Sequence, residues 1–122
     1  MIAVSNLSAN LTKIDASAGA KTAGFTFKGG SGNDTLLLRA GDLTNVTSGA
    51  QLDGGAGTGD KLVTQETTFS ATDYTKLNAT IGFEVLGTGA TNATVDGSQL
   101  TSIKSFSIDG NGTQTYTCYA GR

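Results

Sequence analysis

The chain has 122 residues, eight of them basic and ten acidic, with a formal charge of −2, no proline, no histidine and 18 glycines. This length allows one domain with a modest core, the charge balance excludes a basic nucleic-acid footprint, and low charge without proline argues against a disordered linker. The missing histidine removes Ser-His and Cys-His nucleophile pairs and every His-containing zinc site, and a single cysteine, Cys118, removes any internal disulfide.

From the N-terminus, Met1 to Lys13 lacks a basic segment followed by an apolar block, so no Sec signal peptide is read there. No stretch approaches the roughly 18 apolar residues of a membrane span. Runs of Thr and β-branched residues punctuated by Gly, Asn and Asp predict strands over 11–15, 24–28, 35–39 and 50–53. Further strands are expected over 61–65, 83–87, 93–96, 104–109 and 114–119. Between them, Phe69 to Gly82 is the best helical candidate: Ala71, Tyr74 and Leu77 recur at three-residue spacing, and Ser70 or Thr72 is placed to cap it. Cys118, with only Arg122 as a basic neighbour, reads as a small, partly buried apolar residue rather than a reactive thiol.

Segments aligned on strand-to-glycine junctions resemble one another: "GFTFKGGSG", "GAQLDGGAG", "GFEVLGTGA" and "SFSIDGNGT". The glycines that open these corners are Gly29, Gly54, Gly87 and Gly110, at intervals of 25, 33 and 23 residues, the long one holding the candidate helix. Repeats of this period with an insertion in one place predict an all-β, right-handed parallel β-solenoid, a single domain over 1–122, with one short helical or loop insertion.

Two corners carry chemistry. In Gly29 to Leu37, "GGSGNDTLL", glycines let the backbone curl so that several carbonyl oxygens face one side, and Asp34 adds a carboxylate. Hard oxygen donors of this kind suit Ca²⁺, which takes six to eight of them, more than one loop supplies. A second corner, "GGAGTGD" at Gly54 to Asp60, lies one repeat on, and a cation between the two would offset repulsion between Asp34 and Asp60.

"GGSGNDTLL" resembles the nonapeptide G-G-x-G-x-D-x-U-x of the RTX calcium-binding repeat family, matching at Gly29, Gly30, Gly32, Asp34 and Leu36. "GGAGTGDKL" matches with one extra residue, Gly59, before Asp60. The wider order of loop, longer coil, second loop, polar insertion and Gly82-Phe83-Glu84-Val85-Leu86 is similar to RTX-bearing surface-layer proteins of Gram-negative bacteria. The resemblance implies that Gly29, Ser31 and Asn33 offer oxygens to one side of the first loop and Gly30, Gly32 and Asp34 to the other. From the second loop it implies Gly55, Gly57 and Asp60, with Asp53 a substitute for Asp60. One calcium is expected between the loops, and more if Asp42, Asp53 or Asp109 contribute.

On function, the resemblance implies a structural, non-enzymatic calcium-binding domain of a secreted surface-layer protein, exported by type I secretion, folding with calcium and assembling into a lattice. Its partners would be calcium, other copies, or neighbouring domains of the same protein, with no nucleic acid and no membrane span, and the chain reads as a piece of a longer one. Two alternatives stay open, a repeat module of a calcium-dependent adhesin and the accessory domain of a secreted protease or lipase. The Walker pattern is broken at Gly59-Asp60-Lys61-Leu62, and Gly55, Gly57 and Gly59 miss the dinucleotide spacing. Glu66 and Glu84 read as solvated side chains rather than a glycosidase pair. All seven asparagines stand in N-x-S/T, which suits Asn at a corner with Thr two residues on in a strand, and also glycan attachment.

Overall fold

A computed structural model describes residues 3–4, 12–16, 24–103 and 105–117. Every strand pairing in it is parallel. In chain order the strands are β1 (Ala3–Val4), β2 (Thr12–Asp15), β3 (Thr26–Lys28), β4 (Asp34–Leu38), β5 (Leu52–Asp53) and β6 (Lys61–Thr64). They continue with β7 (Val85–Thr88), β8 (Thr94–Asp96), β9 (Ser105–Ile108) and β10 (Thr115–Thr117). The helices are α1 (Asp42–Asn45), between β4 and β5, and α2 (Ala71–Ala79), between β6 and β7. Three sheets result, with orders β2-β4-β6-β7-β9, β1-β3-β5 and β8-β10.

The expected strands are found to within two residues at each described end; that of 114–119 runs past the described residues, and Cys118 lies outside them. The expected fold class is not found. The all-β solenoid gives way to a mixed α/β chain, about a fifth of it helical, built on a five-stranded parallel sheet with two smaller sheets and two helices. The reason lies in two consecutive return segments rather than one insertion. In 42–51, Leu43 and Val46 bury at three-residue spacing, and a 3₁₀ turn at Gly49–Gln51 is closed by reciprocal Ser48 and Gln51 bonds. In α2, Ser70 Oγ accepts the Asp73 amide (3.1 Å) while Asp73 accepts that of Ser70 (2.8 Å), a capping box. Tyr74 and Leu77 face inward, and α2 packs on both α1 and the 3₁₀ turn. Through Leu43, Val46, Tyr74 and Leu77 the helical segments therefore join the same core as the strands.

Parallel pairing in register stacks like on like. Ile14, Leu36, Leu62, Leu86 and Phe106 form one row across the five-stranded sheet, and Leu38, Thr64, Thr88 and Ile108 the next inward row. Leu36, Leu62 and Leu86 have no exposed surface, and they join Phe25, Phe27, Leu43, Leu52 and Leu77 in one core. The register also corrects the repeat alignment. β7 lies beside β6, so Gly87 sits within a strand, while Gly82 is the glycine that meets Gly54 and Gly55. Gly110 stacks on Gly89 and Ala90 at the other end of the sheet.

Leu62→Ala, at the centre of the leucine row, is expected to cost about 2–5 kcal/mol. Ile81→Ala, with its side chain half exposed, is expected to stay within about 0.5 kcal/mol. Urea unfolding midpoints of the two variants check this.

Candidate metal centre

Three corners lie one above another on the same edge of the fold. Residues 29–33 join β3 to β4, residues 54–60 join β5 to β6, and residues 82–84 lead from the Asp53–Ile81 bridge into β7. Backbone amides tie them: Gly29 N donates to Asp53 O (2.8 Å), Ala56 N to Gly30 O (2.9 Å) and Gly54 N to Ile81 O (2.7 Å). The approach is too close for side chains. A Cβ on Gly29 would collide with the Gly54 carbonyl, and one on Gly57 would stand 2.6 Å from Gly32 O. Behind the corners, Phe27 and Phe83 stack with ring centroids 6.0 Å apart.

In-register pairing then aligns the acids. Asp34 opens β4, Asp60 immediately precedes β6 and Glu84 immediately precedes β7, so the three occupy one row. Two of the three carboxylates, those of Asp60 and Glu84, reach the amide of the acid in the neighbouring coil. Asp60 Oδ1 accepts from Asp34 N (2.6 Å), and Glu84 Oε2 accepts from Asp60 N (2.8 Å). Within their own loops, Asp34 Oδ2 accepts from Gly30 N (2.8 Å) and Asp60 Oδ2 from Gly57 N (3.1 Å). Asp34 and Asp60 are fully buried. Burial pushes the Asp60 carboxyl above its ordinary range; the Asp34 and Gly57 amides oppose this, and the charges of Asp34 and Asp53 add to it.

One oxygen in the row is left over. Asp34 Oδ1 is buried with no hydrogen-bond partner, and no other carboxylate oxygen among the described residues shares that state. A buried anionic oxygen without a donor costs the full desolvation of the group. A hard cation is the chemical complement of that oxygen, and the carbonyls crowded between the corners are donors of the same kind. Among the described residues no three His, Cys, Asp or Glu side chains gather as a metal-holding group. A cation held here would therefore draw most of its ligands from backbone carbonyls, with Asp34 and Asp60 as the charged pair.

The other sequence-selected residues are distributed as follows. Gly29, Gly30 and Gly32 form the curl of the first corner, with Ser31 exposed at its bend. Asn33 Oδ1 accepts the amides of Thr58 (3.1 Å) and Gly59 (3.0 Å), so it caps the extra residue of the second corner. Gly55 and Gly57 face Gly30 and Gly32 respectively. Asp53 divides its oxygens between the Gly55 amide (2.8 Å) and the Lys28 ammonium (2.9 Å). Asp42 and Asp109 lie away from the corners, beyond the far ends of β4 and β9: Asp42 accepts the Arg39 amide (2.9 Å) and Asp109 pairs with Lys61 (3.3 Å).

Glu84 and Glu66 are half-buried acceptors rather than solvated acids. Glu66 accepts the Gly41 amide, and burial pushes its carboxyl up, with Asp73 and Asp42 adding to the shift. Phasing on strand starts would have found Glu84, because "DTLLL", "DKLVT" and "EVLGT" begin the same way at residues 34, 60 and 84. Asparagines beyond Asn33 also staple coils: Asn78 Oδ1 accepts Thr101 N (2.9 Å) and Asn92 Oδ1 accepts Thr113 N (2.7 Å).

Comparison with protein-family models, with curated proteins and with solved structures yields no match. No helix among the described residues is long and apolar enough to cross a membrane.

The raised Asp60 and Glu66 carboxyls fix a sign for pH dependence. A folded-state pKa above the unfolded value means that the folded chain binds the proton more tightly, so stability rises as pH falls through the raised pKa towards the ordinary carboxylate range. Asp96, lowered by its bonds to Ser98 and Gln99, acts oppositely and only at more acidic pH. In chelator, thermal midpoints are expected to rise as pH is lowered from neutral through the raised carboxyl pKa values, and Glu66→Gln is expected to flatten part of that slope.

Proposed function

We propose that this chain is a calcium-binding structural module of RTX type, belonging to a secreted bacterial surface-layer protein, with no catalytic role. The observation that carries the proposal is the buried, partnerless Asp34 Oδ1, on an acid whose amide is held by Asp60 of the next coil. Calcium at that position would be held by Asp34, Asp60 and carbonyl oxygens of the two corners, and would supply the positive charge that their apposed carboxylates lack. Because the two half-sites meet only in the folded chain, binding free energy becomes folding free energy. Weak sites of this kind fill at extracellular, near-millimolar calcium, which suits a protein exported by type I secretion and ordered outside the cell. The surface-layer assignment, with self-association or neighbouring domains as partners, is supported by the order of motifs from Gly29 to Leu86.

Calcium titration of the thermal midpoint tests the proposal. At about 100 times Kd a single site adds about 2.7 kcal/mol, a rise of roughly ten degrees for a domain of this size. Asp34→Asn is expected to abolish that response, yet in chelator to be at least as stable as the parent, since it removes an unpaired buried charge. Equal midpoints for the parent in calcium and in chelator, with no binding heat, would sink the proposal.

A further inference from the structure

The inward rows of the main sheet are incomplete at both ends. In the first row Leu36, Leu62 and Leu86 are sealed, whereas Ile14 at one end and Phe106 at the other are half-buried. In the second, Leu38, Thr64 and Thr88 are sealed, but Ile108 is 64% exposed although it points the same way. Phe106 stacks on half-buried Tyr116, with centroids 4.7 Å apart, so this end is both apolar and aromatic.

Among the described residues the backbone lacks a strand partner there as well. Among the described residues β9 pairs only with β7, and β10 only with β8. The Asp109 amide donates to Thr88 O (2.9 Å), and N–H direction alternates along a strand, so the amides of Phe106 and Ile108 point away from β7. Natural edges are usually blunted by lysine, proline or a bulge. The β9 sequence, Ser105-Phe106-Ser107-Ile108, carries no charge and no proline.

We infer that this edge receives the β2 edge of a second copy of the chain, stacked head to tail along the sheet axis. The inference deepens the self-association part of the proposed function and does not rest on its calcium part. Three features on the page select a second copy as the occupant. β2 and β9 are the two edges of one parallel sheet, so a translated copy presents a strand of the required direction. Continuing the register sets Ile14 of the second copy on Phe106, and its Ala16 on the protruding Ile108, a small residue against a large one. Exposed Lys13 of the second copy falls beside Ser105, in the row of Lys61, whose ammonium reaches Asp109 at 3.3 Å, and so brings a further positive charge to that side of the sheet. Such an interface is heterologous and does not close, so it generates filaments rather than a dimer.

Ile108→Pro tests this, because it deletes an outward amide and leaves the β7 pairing intact. Sedimentation of the full chain at rising concentration, in calcium and in chelator, is expected to show mass growing beyond the dimer. The proline variant, folded by circular dichroism, is expected to stay monomeric, and, keeping its β2 end, to shorten assemblies when mixed with the parent. If the proline variant fails to fold, Ile108→Lys carries the same expectation through charge. A parent that stays monomeric at several hundred micromolar in both conditions, stops at a dimer, or associates equally well with either substitution overturns the inference. A melting response to calcium without growth in mass would remove this inference and leave the calcium site standing; growth in mass without a calcium response would do the reverse.

Discussion

In-register parallel pairing is the constraint from which the rest of this structure follows. Strands about 4.8 Å apart, running the same way, place each residue directly beside its counterpart in the next coil. Apolar residues gain from this, and Leu36, Leu62 and Leu86 build a sealed row from three ordinary strands. Acids do not gain, since Asp34, Asp60 and Glu84 are brought into one row by the same geometry. Backbone has no room for side chains at the turns, which accounts for glycine where Gly29 faces Gly54 and Gly57 faces Gly32.

The carboxylate row relieves its own repulsion in part by turning its second and third acids towards an amide of the preceding coil. Asp60 and Glu84 do so across the corners, and Asp34 and Asp60 also hold amides of their own loops. Such bonds to charged acceptors are stronger than neutral ones, and they make the acids part of the scaffold. The first acid of the row has an oxygen beyond this arrangement. That difference between Asp34 and its two successors separates a structural staple from a candidate ion ligand. The opposite acid group, Glu66 with Asp42 and Asp73, shows the staple role without such an orphan: Glu66 binds the Gly41 amide, and Asp73 caps α2.

Strand positions were legible because Thr and β-branched runs bounded by glycine leave little choice of local structure, and the cap of α2 was legible as Ser70 or Thr72, of which the structure uses Ser70. The corner pair Gly29–Asp34 and Gly54–Asp60 was legible from spacing alone. The phase of the repeat was not. Aligning Gly87 with Gly29 treated a strand glycine as a corner glycine, and it hid Glu84 as the counterpart of Asp60. Nor was α1 visible, because Leu43 and Val46 supply only one turn of helical spacing, and its burial comes from α2 packing against it.

What the sequence by itself determined is the set of short strands, the glycine-rich turns between them and the acids that follow those turns, since each is encoded within a few residues. Only the tertiary structure decided the mixed α/β class, the stacking of Gly82 rather than Gly87 on the second corner and the unequal fates of Asp34, Asp53, Asp60 and Glu84. Those depend on contacts between residues roughly 25 positions apart, where register chooses which amide each carboxylate meets.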